Sequence, residues 1–182
     1  IDLFSALPIA EVLLILGMIA IISMSTVAIY QNNVKRLLAY SSVAQVGYMV
    51  IGISMLTITG LTATILHLFN HAIIKGALFL SLAAVFYRIK SVKVEDMAGL
   101  GKSMPYTMAA FVAAGFSLIG VPSTVGFISK WYLILGALEK DWWLVAVVIV
   151  LSSLLAVIYF WKVIEFAYFK GRPNGAVEIR DV

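Results

Sequence analysis

The stretch Leu7-Pro8-Ile9-Ala10-Glu11-Val12-Leu13-Leu14-Ile15-Leu16-Gly17-Met18-Ile19-Ala20-Ile21-Ile22-Ser23-Met24-Ser25-Thr26-Val27-Ala28-Ile29-Tyr30 carries a single charged side chain, Glu11, near its start. Wound as a helix at ~1.5 Å per residue, a run of this length crosses the ~30 Å hydrocarbon core of a bilayer. By length alone, 182 residues would make one soluble domain, but 63% are apolar and only 12% charged, against roughly 25% charged in an ordinary globular domain. With a mean hydropathy of +1.05, the chain reads as a polytopic membrane protein whose solvent is lipid.

Four further apolar windows follow, at about 40–57, 61–87, 104–138 and 142–169. The window 104–138 is too long for one straight span. It contains Gly120-Val121-Pro122-Ser123-Thr124-Val125-Gly126, where proline removes a backbone donor and glycine loosens the turn, so a broken helix is expected. The expected fold is therefore an all-α bundle of about five transmembrane helices over residues 1–170, the fourth broken near Pro122. Beyond it lies a polar tail, 171–182, that includes the turn signal Arg172-Pro173-Asn174-Gly175.

Loop charge supports that count. If five spans alternate, Lys35, Arg36, Arg88, Lys90, Lys93, Lys102, Lys170, Arg172 and Arg180 fall on one side and Lys140 alone on the other. A missed or extra span would scramble this split, which places the N-terminus outside and the C-terminus in the cytoplasm of a plasma (inner) membrane. The net charge of +4 is then largely a topology signal, and no separate basic domain is left for nucleic acid. Trp131, Trp142, Trp143 and Trp161 fall mostly towards span ends, as an aromatic belt requires. With no cysteine, the chain itself holds no disulfide, Cys-ligated zinc or iron–sulfur cluster, so any electron transfer belongs to another subunit. The start at Ile1-Asp2 lacks Met and a basic n-region. The first span is therefore not expected to be a signal peptide, and further chain is expected upstream.

Three lysines remain inside the spans: Lys75, Lys130 and Lys162. A cation at the bilayer centre costs roughly 2.5–3.5 kcal/mol on insertion scales, so each needs a protein-facing or hydrated site. His67, His71 and Lys75 stand at i, i+4 and i+8, flanked by Asn70. On a helix they mark a line of ~12 Å along the membrane normal, close enough for single waters to bridge neighbours. Imidazole titrates near neutrality, and lysine is the cation whose charge yields most readily to its surroundings. Together they form the pattern a proton wire needs, although such groups also serve as hydrogen-bonding glue between helices.

A metal site at His67 and His71 lacks both a carboxylate and the glutamate of an H-E-x-x-H helix. As haem ligands the pair would point to the same side of the ring. No metal or cofactor is expected. Lys130 follows the break, where freed carbonyls and water lower the cost of its charge, though Trp131-Tyr132 beside it fits a snorkelling lysine too. Lys162 reads as an anchor that snorkels or pairs with Glu165 at i+3. Ser41, Ser42 and Gln45 form a polar stripe in the second span that either hydrates a neighbour or bonds across helices. Glu11 reads as interfacial.

Three motifs in order carry a family resemblance. The segment from Asn33-Val34-Lys35-Arg36-Leu37-Leu38-Ala39-Tyr40-Ser41-Ser42 to Gln45-Val46-Gly47-Tyr48 resembles the proton-translocating antiporter-like subunits of complex I, membrane-bound hydrogenases and Mrp-type sodium/proton antiporters. His67 to Leu80 resembles that family's H-x-x-x-H-A-x-x-K-A-x-L-F-L helix, and Gly120 to Lys130 its G-x-P-x-x-x-G-F-x-x-K broken helix. Ser129-Lys130-Trp131-Tyr132-Leu133 is most similar to the D subunit of Mrp-type antiporters.

The resemblance runs from Gly17 to about Phe169 and implies the second of two inverted five-helix repeats, the first repeat being supplied elsewhere. It implies a proton path through the positions of His67, His71, Lys75 and Lys130, with other membrane subunits as partners and protons and sodium as the transported ions. The leading expectation is a proton-conducting subunit of a multisubunit cation/proton antiporter. The alternative is a proton-pumping membrane-arm subunit of a redox complex, and a third reading is a passive helical scaffold.

Overall fold

The computed structural model describes residues 8–172 and residue 181. The apolar windows are helices: α1 (Ile9–Ile29), α2 (Val34–Ser54), α3 (Ile58–Ile89), the short α4 (Leu100–Ser103), α5 (Pro105–Ile119), α6 (Val125–Glu139) and α7 (Trp143–Ile164). A 3₁₀ turn, Glu95–Met97, precedes α4, and a π turn, Glu165–Phe169, extends α7. Among the described residues the one extended pairing is an isolated bridge between Asn33 and Lys93. The start of the first window at Leu7, the cation Arg180 and the tail turn at Pro173-Asn174-Gly175 lie outside the described residues.

Four helices are long and apolar enough to cross a membrane: α1, α2, α3, and α7 with its π turn. α5 and α6 have 15 residues each, about 22 Å at ~1.5 Å per residue, so neither spans ~30 Å by itself. Joined end to end through residues 120–124 they make one interrupted crossing. Pro105 at the first position of α5 lacks the N–H that would be orphaned there in any case. Thr124 caps α6 by accepting from the Phe127 N–H at 3.4 Å.

The second helix begins six residues before the window 40–57. Asn33 supplies the reason, since its side chain accepts from the Arg36 N–H at 3.1 Å and so satisfies one of the orphan donors of a helix start. Lys35 and Arg36 thus occupy the first turn of α2 instead of a loop. Arg88 similarly lies in the last turn of α3, and Lys102 in α4. A helix that emerges from lipid has no need to stay apolar, so hydropathy alone misplaces such ends.

These basic segments meet at one end of the bundle. The Val34 N–H donates to the Val92 carbonyl at 2.8 Å, and the Gly99 N–H to the Phe166 carbonyl at 3.2 Å. The Asp181 carboxylate accepts from the Tyr106 N–H at 2.6 Å, the Thr107 N–H at 3.2 Å and the Thr107 hydroxyl. An acid is thereby placed on the positive end of α5. Lys162 joins this end too, with a correction to its expected partner. Its Nζ donates to Asn32 Oδ1 at 2.7 Å and to the Gln31 carbonyl at 3.3 Å, while Glu165 pairs with Lys170 at 3.5 Å. Lys162→Ala should therefore lower the thermal stability of the assembled complex by about 1 kcal/mol, through loss of a half-exposed charged hydrogen bond. Ion translocation should continue, and a melting curve beside a flux assay checks both.

Two apolar clusters fill the interior. One, at the basic end, gathers Leu38, Ile74, Leu78, Leu118, Ile119 and Ala156. The other gathers Tyr48, Ile51, Ala63, Leu133 and Ile149. Between them four helices place polar side chains: Ser41 and Gln45 on α2, His67 on α3, Ser129 and Lys130 on α6, and Ser152 on α7, all buried. The bundle is a sandwich along its own axis, with a polar layer between two greasy ends.

Candidate functional site: a lysine and histidine line between two apolar clusters

On α3, His67 and Lys75 are 3% and 7% exposed, and His71 is half-buried. The rings of the two histidines lie nearly parallel, with centroids 6.4 Å apart and planes at 9°, as the i, i+4 spacing dictates. His67 Nδ1 hydrogen-bonds with Ser129 Oγ at 2.9 Å. His67 Nε2 and His71 Nδ1 are buried and have no protein partner among the described residues. Each ring therefore keeps one nitrogen open to a proton or a bridging water.

Lys75 reaches across to α2, where its Nζ donates to the Leu38 carbonyl at 2.7 Å and to Ser41 Oγ at 2.5 Å. Ser41 in turn faces the hydroxyl of Tyr159, a fully buried residue of α7. At the other end of the line Lys130, 4% exposed, folds back over the helix break. Its Nζ donates to the Leu118 carbonyl at 3.0 Å, the Ile119 carbonyl at 2.8 Å and Ser153 Oγ at 3.1 Å. The last carbonyls of α5 have no intrahelical donor, and the negative end of the helix dipole favours a cation there. The break is thus what gives Lys130 its seat.

Two glycines allow this geometry. Gly120 has φ +91°, a left-handed conformation that closes α5, and a Cβ there would meet Lys130 Cδ at 3.0 Å. At Gly126 a Cβ would stand 1.7 Å from the Ser117 backbone oxygen, so the two half-helices touch where only glycine fits. Pro122 lies in the exposed turn between them.

Tyr48 joins the two halves of the site. Its ring centroid is 5.4 Å from that of His67, and Lys130 Nζ sits 5.1 Å from the same ring. The Tyr48 hydroxyl contacts the Ile149 carbonyl at 3.4 Å and faces Ser152 and Ser153. The order across the bundle is therefore Lys75, His71, His67, Tyr48, Lys130. Lys170 pairs with Glu165 at the rim, whereas among the described residues neither buried lysine is matched by a carboxylate; both are held by carbonyl and hydroxyl dipoles. No group of three His, Cys, Asp or Glu side chains able to hold a metal converges among the described residues.

The supporting residues divide. Ser41 touches Lys75, whereas Ser42 turns its hydroxyl to the Leu38 carbonyl of its own helix at 3.0 Å, and Gln45 is buried in the same layer. Asn70 stands off the line and donates from Nδ2 to the Val125 carbonyl at 2.7 Å, tying α3 to the start of α6. Sequence reasoning missed Tyr48, Ser129, Ser153 and Tyr159 as members of the site. The spacing of Ser41, Gln45 and Tyr48 at i, i+4 and i+7 marked one polar face of α2, and Ser152-Ser153 interrupts the apolar run from Leu144 to Ile158 of α7.

A polytopic helical bundle with a broken helix and unpaired cations at mid-depth defines a class: membrane proteins that handle ions within the bilayer. The chain belongs to the NADH:quinone oxidoreductase/Mrp antiporter transmembrane family, whose model matches residues 1–156. It is 47% identical over 170 residues to NADH-quinone oxidoreductase subunit N of Desulforudis audaxviator, covering 92% of this chain and 34% of that protein. With F(420)H(2) dehydrogenase subunit N of Methanosarcina mazei it shares 32% identity over 173 residues, covering 88% of this chain and 35% of that one. Among solved structures, a chain of the Mrp complex from Dietzia sp. superposes with a TM-score of 0.87 at 30% identity, covering 93% of this chain and 32% of the other. The chain spans about a third of the length of these relatives. Of the two functional expectations drawn from the sequence, these likenesses favour the redox-complex alternative over the Mrp-type D subunit, within one family.

Proposed function

We propose that this chain conducts protons as part of a membrane subunit of a redox-driven complex of the NADH-quinone oxidoreductase type, corresponding to the second of two repeats in that subunit. The observation that carries the proton-conducting role is the pairing of two buried lysines without counter-carboxylates, at opposite ends of one histidine and tyrosine line. The assignment to a redox complex rests on the 47% identity to a subunit N.

In this mechanism a proton arriving at Lys75 is passed to His71 and His67 through their open nitrogens, with water bridging the gaps. A charge on one group repels the charge on the next, so each arrival prompts release further along. Lys130 receives the proton on a seat of α5 carbonyls that stabilises the ammonium without trapping it in an ion pair. Other membrane subunits supply the remainder of the path and the redox energy. The basic end of the bundle faces the cytoplasm in this reading, following the one-sided loop charge.

The second reading, a cation/proton antiporter subunit, is favoured by the 0.87 TM-score to a chain of the Mrp complex. Inverted vesicles carrying the full native complex separate the two. An electron donor should build a proton gradient that sodium leaves unchanged; sodium-dependent collapse of an imposed gradient, with no response to the donor, would transfer the assignment to the antiporter.

A further inference from the structure

Beside the histidines, the hydroxyls of α2 and α7 make a second polar column. Ser41 on α2 faces the Tyr159 hydroxyl on α7, and seven residues further along α2 the Tyr48 hydroxyl faces Ser152 and Ser153, which precede Tyr159 on α7. Forward steps on one helix match backward steps on the other, as in an antiparallel pair. The two contacts are separated by ~10 Å of helix rise. Between them on the same face of α2 stands Gln45, 4% exposed, four residues from Ser41 and three from Tyr48. Both tyrosines are fully buried and lie close enough for a charge on one to act on the other.

We propose that Tyr159 is a proton-relay residue on a second branch from Lys75 to Tyr48, which runs through Ser41, Tyr159 and Gln45 and by-passes both histidines. The inference rests on proton conduction between Lys75 and Lys130. As the Lys75 ammonium gives a proton to Ser41 Oγ, the Ser41 hydroxyl proton passes to Tyr159 Oη. The proton of Tyr159 moves on, by way of water held at the Gln45 amide, to the Tyr48 hydroxyl, whose own proton leaves through Ser153 to the Lys130 amine. One proton departs from Lys75, one arrives at Lys130, and every hydroxyl ends neutral. Serine, tyrosine and glutamine suit this because each side chain both donates and accepts.

The Leu38 carbonyl shows why Ser41 is free to turn. It receives Lys75 Nζ at 2.7 Å, Ser41 Oγ at 2.9 Å and Ser42 Oγ at 3.0 Å, three side-chain donors for two lone pairs. One donor is always in surplus, and Ser41 has Tyr159 to turn to. At the other end the Tyr48 hydroxyl and Ser153 Oγ share the Ile149 carbonyl at 3.4 and 3.2 Å. Both contacts exceed the usual ~2.7–2.8 Å between oxygens, so neither hydroxyl is locked. Ser152 Oγ pairs with Ser25 of α1 at 3.1 Å, whereas Ser153 Oγ is 3.1 Å from Lys130 Nζ and continues the branch. Packing alone would be served by phenylalanine at position 159, without the cost of burying a phenol hydroxyl.

The test is donor-driven proton uptake by inverted vesicles carrying the full complex, compared at equal subunit abundance. Tyr159→Phe and His67→Met/His71→Met each close one of two parallel branches and should each keep roughly half of wild-type uptake, whereas the three changes combined should lower it about tenfold or more. Either histidine substitution alone interrupts its branch, so a single one that assembles serves equally. Gln45→Met in place of Tyr159→Phe should give the same combined loss. Ser25→Ala, which removes a hydroxyl of the same layer off the branch, should leave uptake unchanged. Complete loss in His67→Met/His71→Met, or residual uptake there that both Tyr159→Phe and Gln45→Met leave intact, would overturn the relay. Lys75→Ala measured alongside separates the two levels of the account. If it is inactive, those results strike the relay alone; if it takes up protons as wild type does, conduction between the lysines fails with it.

Discussion

Lys130→Ala should reduce proton translocation by the assembled complex at least tenfold while leaving its abundance near wild type. The lost rate corresponds to about 1.4 kcal/mol or more of barrier. Assembly survives because the terms oppose one another. Removing a cation from membrane depth relieves roughly 2.5–3.5 kcal/mol of insertion cost, whereas leaving the Leu118 and Ile119 carbonyls without their donor costs about 1–3 kcal/mol per unmet group. The vacated, carbonyl-lined space is polar enough to admit water, which reduces the second term.

Lys130→Arg sharpens the expectation. Arginine keeps the charge and the donors but does not give up its proton in a protein. It should assemble and still fail to translocate. If Lys130→Arg pumps normally, the ammonium serves only as a fixed charge and is not on the path. Immunoblot-normalised proton uptake in vesicles reads both variants.

Gly126→Ala should have a large structural effect on the bundle's broken crossing. Its Cβ would lie 1.7 Å from the Ser117 backbone oxygen and 2.8 Å from the carbonyl carbon, and backbone cannot rotate out of the way as a side chain can. α5 and α6 must part by well over an ångström, which breaks the 2.8–3.0 Å contacts of Lys130 with Leu118 and Ile119. Overpacking of this kind costs typically 1–3 kcal/mol and more when backbone is the obstacle. Complex abundance and thermal midpoint should both fall, and translocation per remaining complex should fall with them. Gly76→Ala is the control, since nothing lies within 4 Å of its Cβ position and alanine favours a helix by about 1 kcal/mol. Equal tolerance of the two substitutions would show that the half-helices do not touch at Gly126.

The features that the sequence announced are those with a large local cost. A run with a single charge, Glu11, from Ile9 to Ile29, a proline between two glycines at 120–126, and lysines in the middle of apolar windows each violate the composition of their surroundings, and each has a place in the fold. Tyr48, Ser129, Ser153 and Tyr159 carry no such penalty. One hydroxyl in an apolar helix is cheap, and its partner lies on another helix: Ser129 meets His67 across 62 residues of chain. Pairings of this kind follow from how helices rotate against each other, which no single helix records.

The start of α2 is a different case. Asn33 is an N-cap signal, yet Lys35 and Arg36 beside it look like loop residues when hydropathy is the criterion. Lys162 shows the same limit, because a local i+3 partner, Glu165, lost to a carbonyl and an amide on the turn after α1.

The most direct test of the lysine and histidine line is donor-driven proton uptake by inverted vesicles carrying the full complex, with Lys75→Ala compared to wild type at equal subunit abundance and equal electron-transfer rate. Uptake should fall to a small fraction of wild type, because Lys75 is the buried cation at the α2 end of the line, held by the Leu38 carbonyl and Ser41. Wild-type uptake in Lys75→Ala would contradict proton conduction through this line and leave the buried lysines as packing residues.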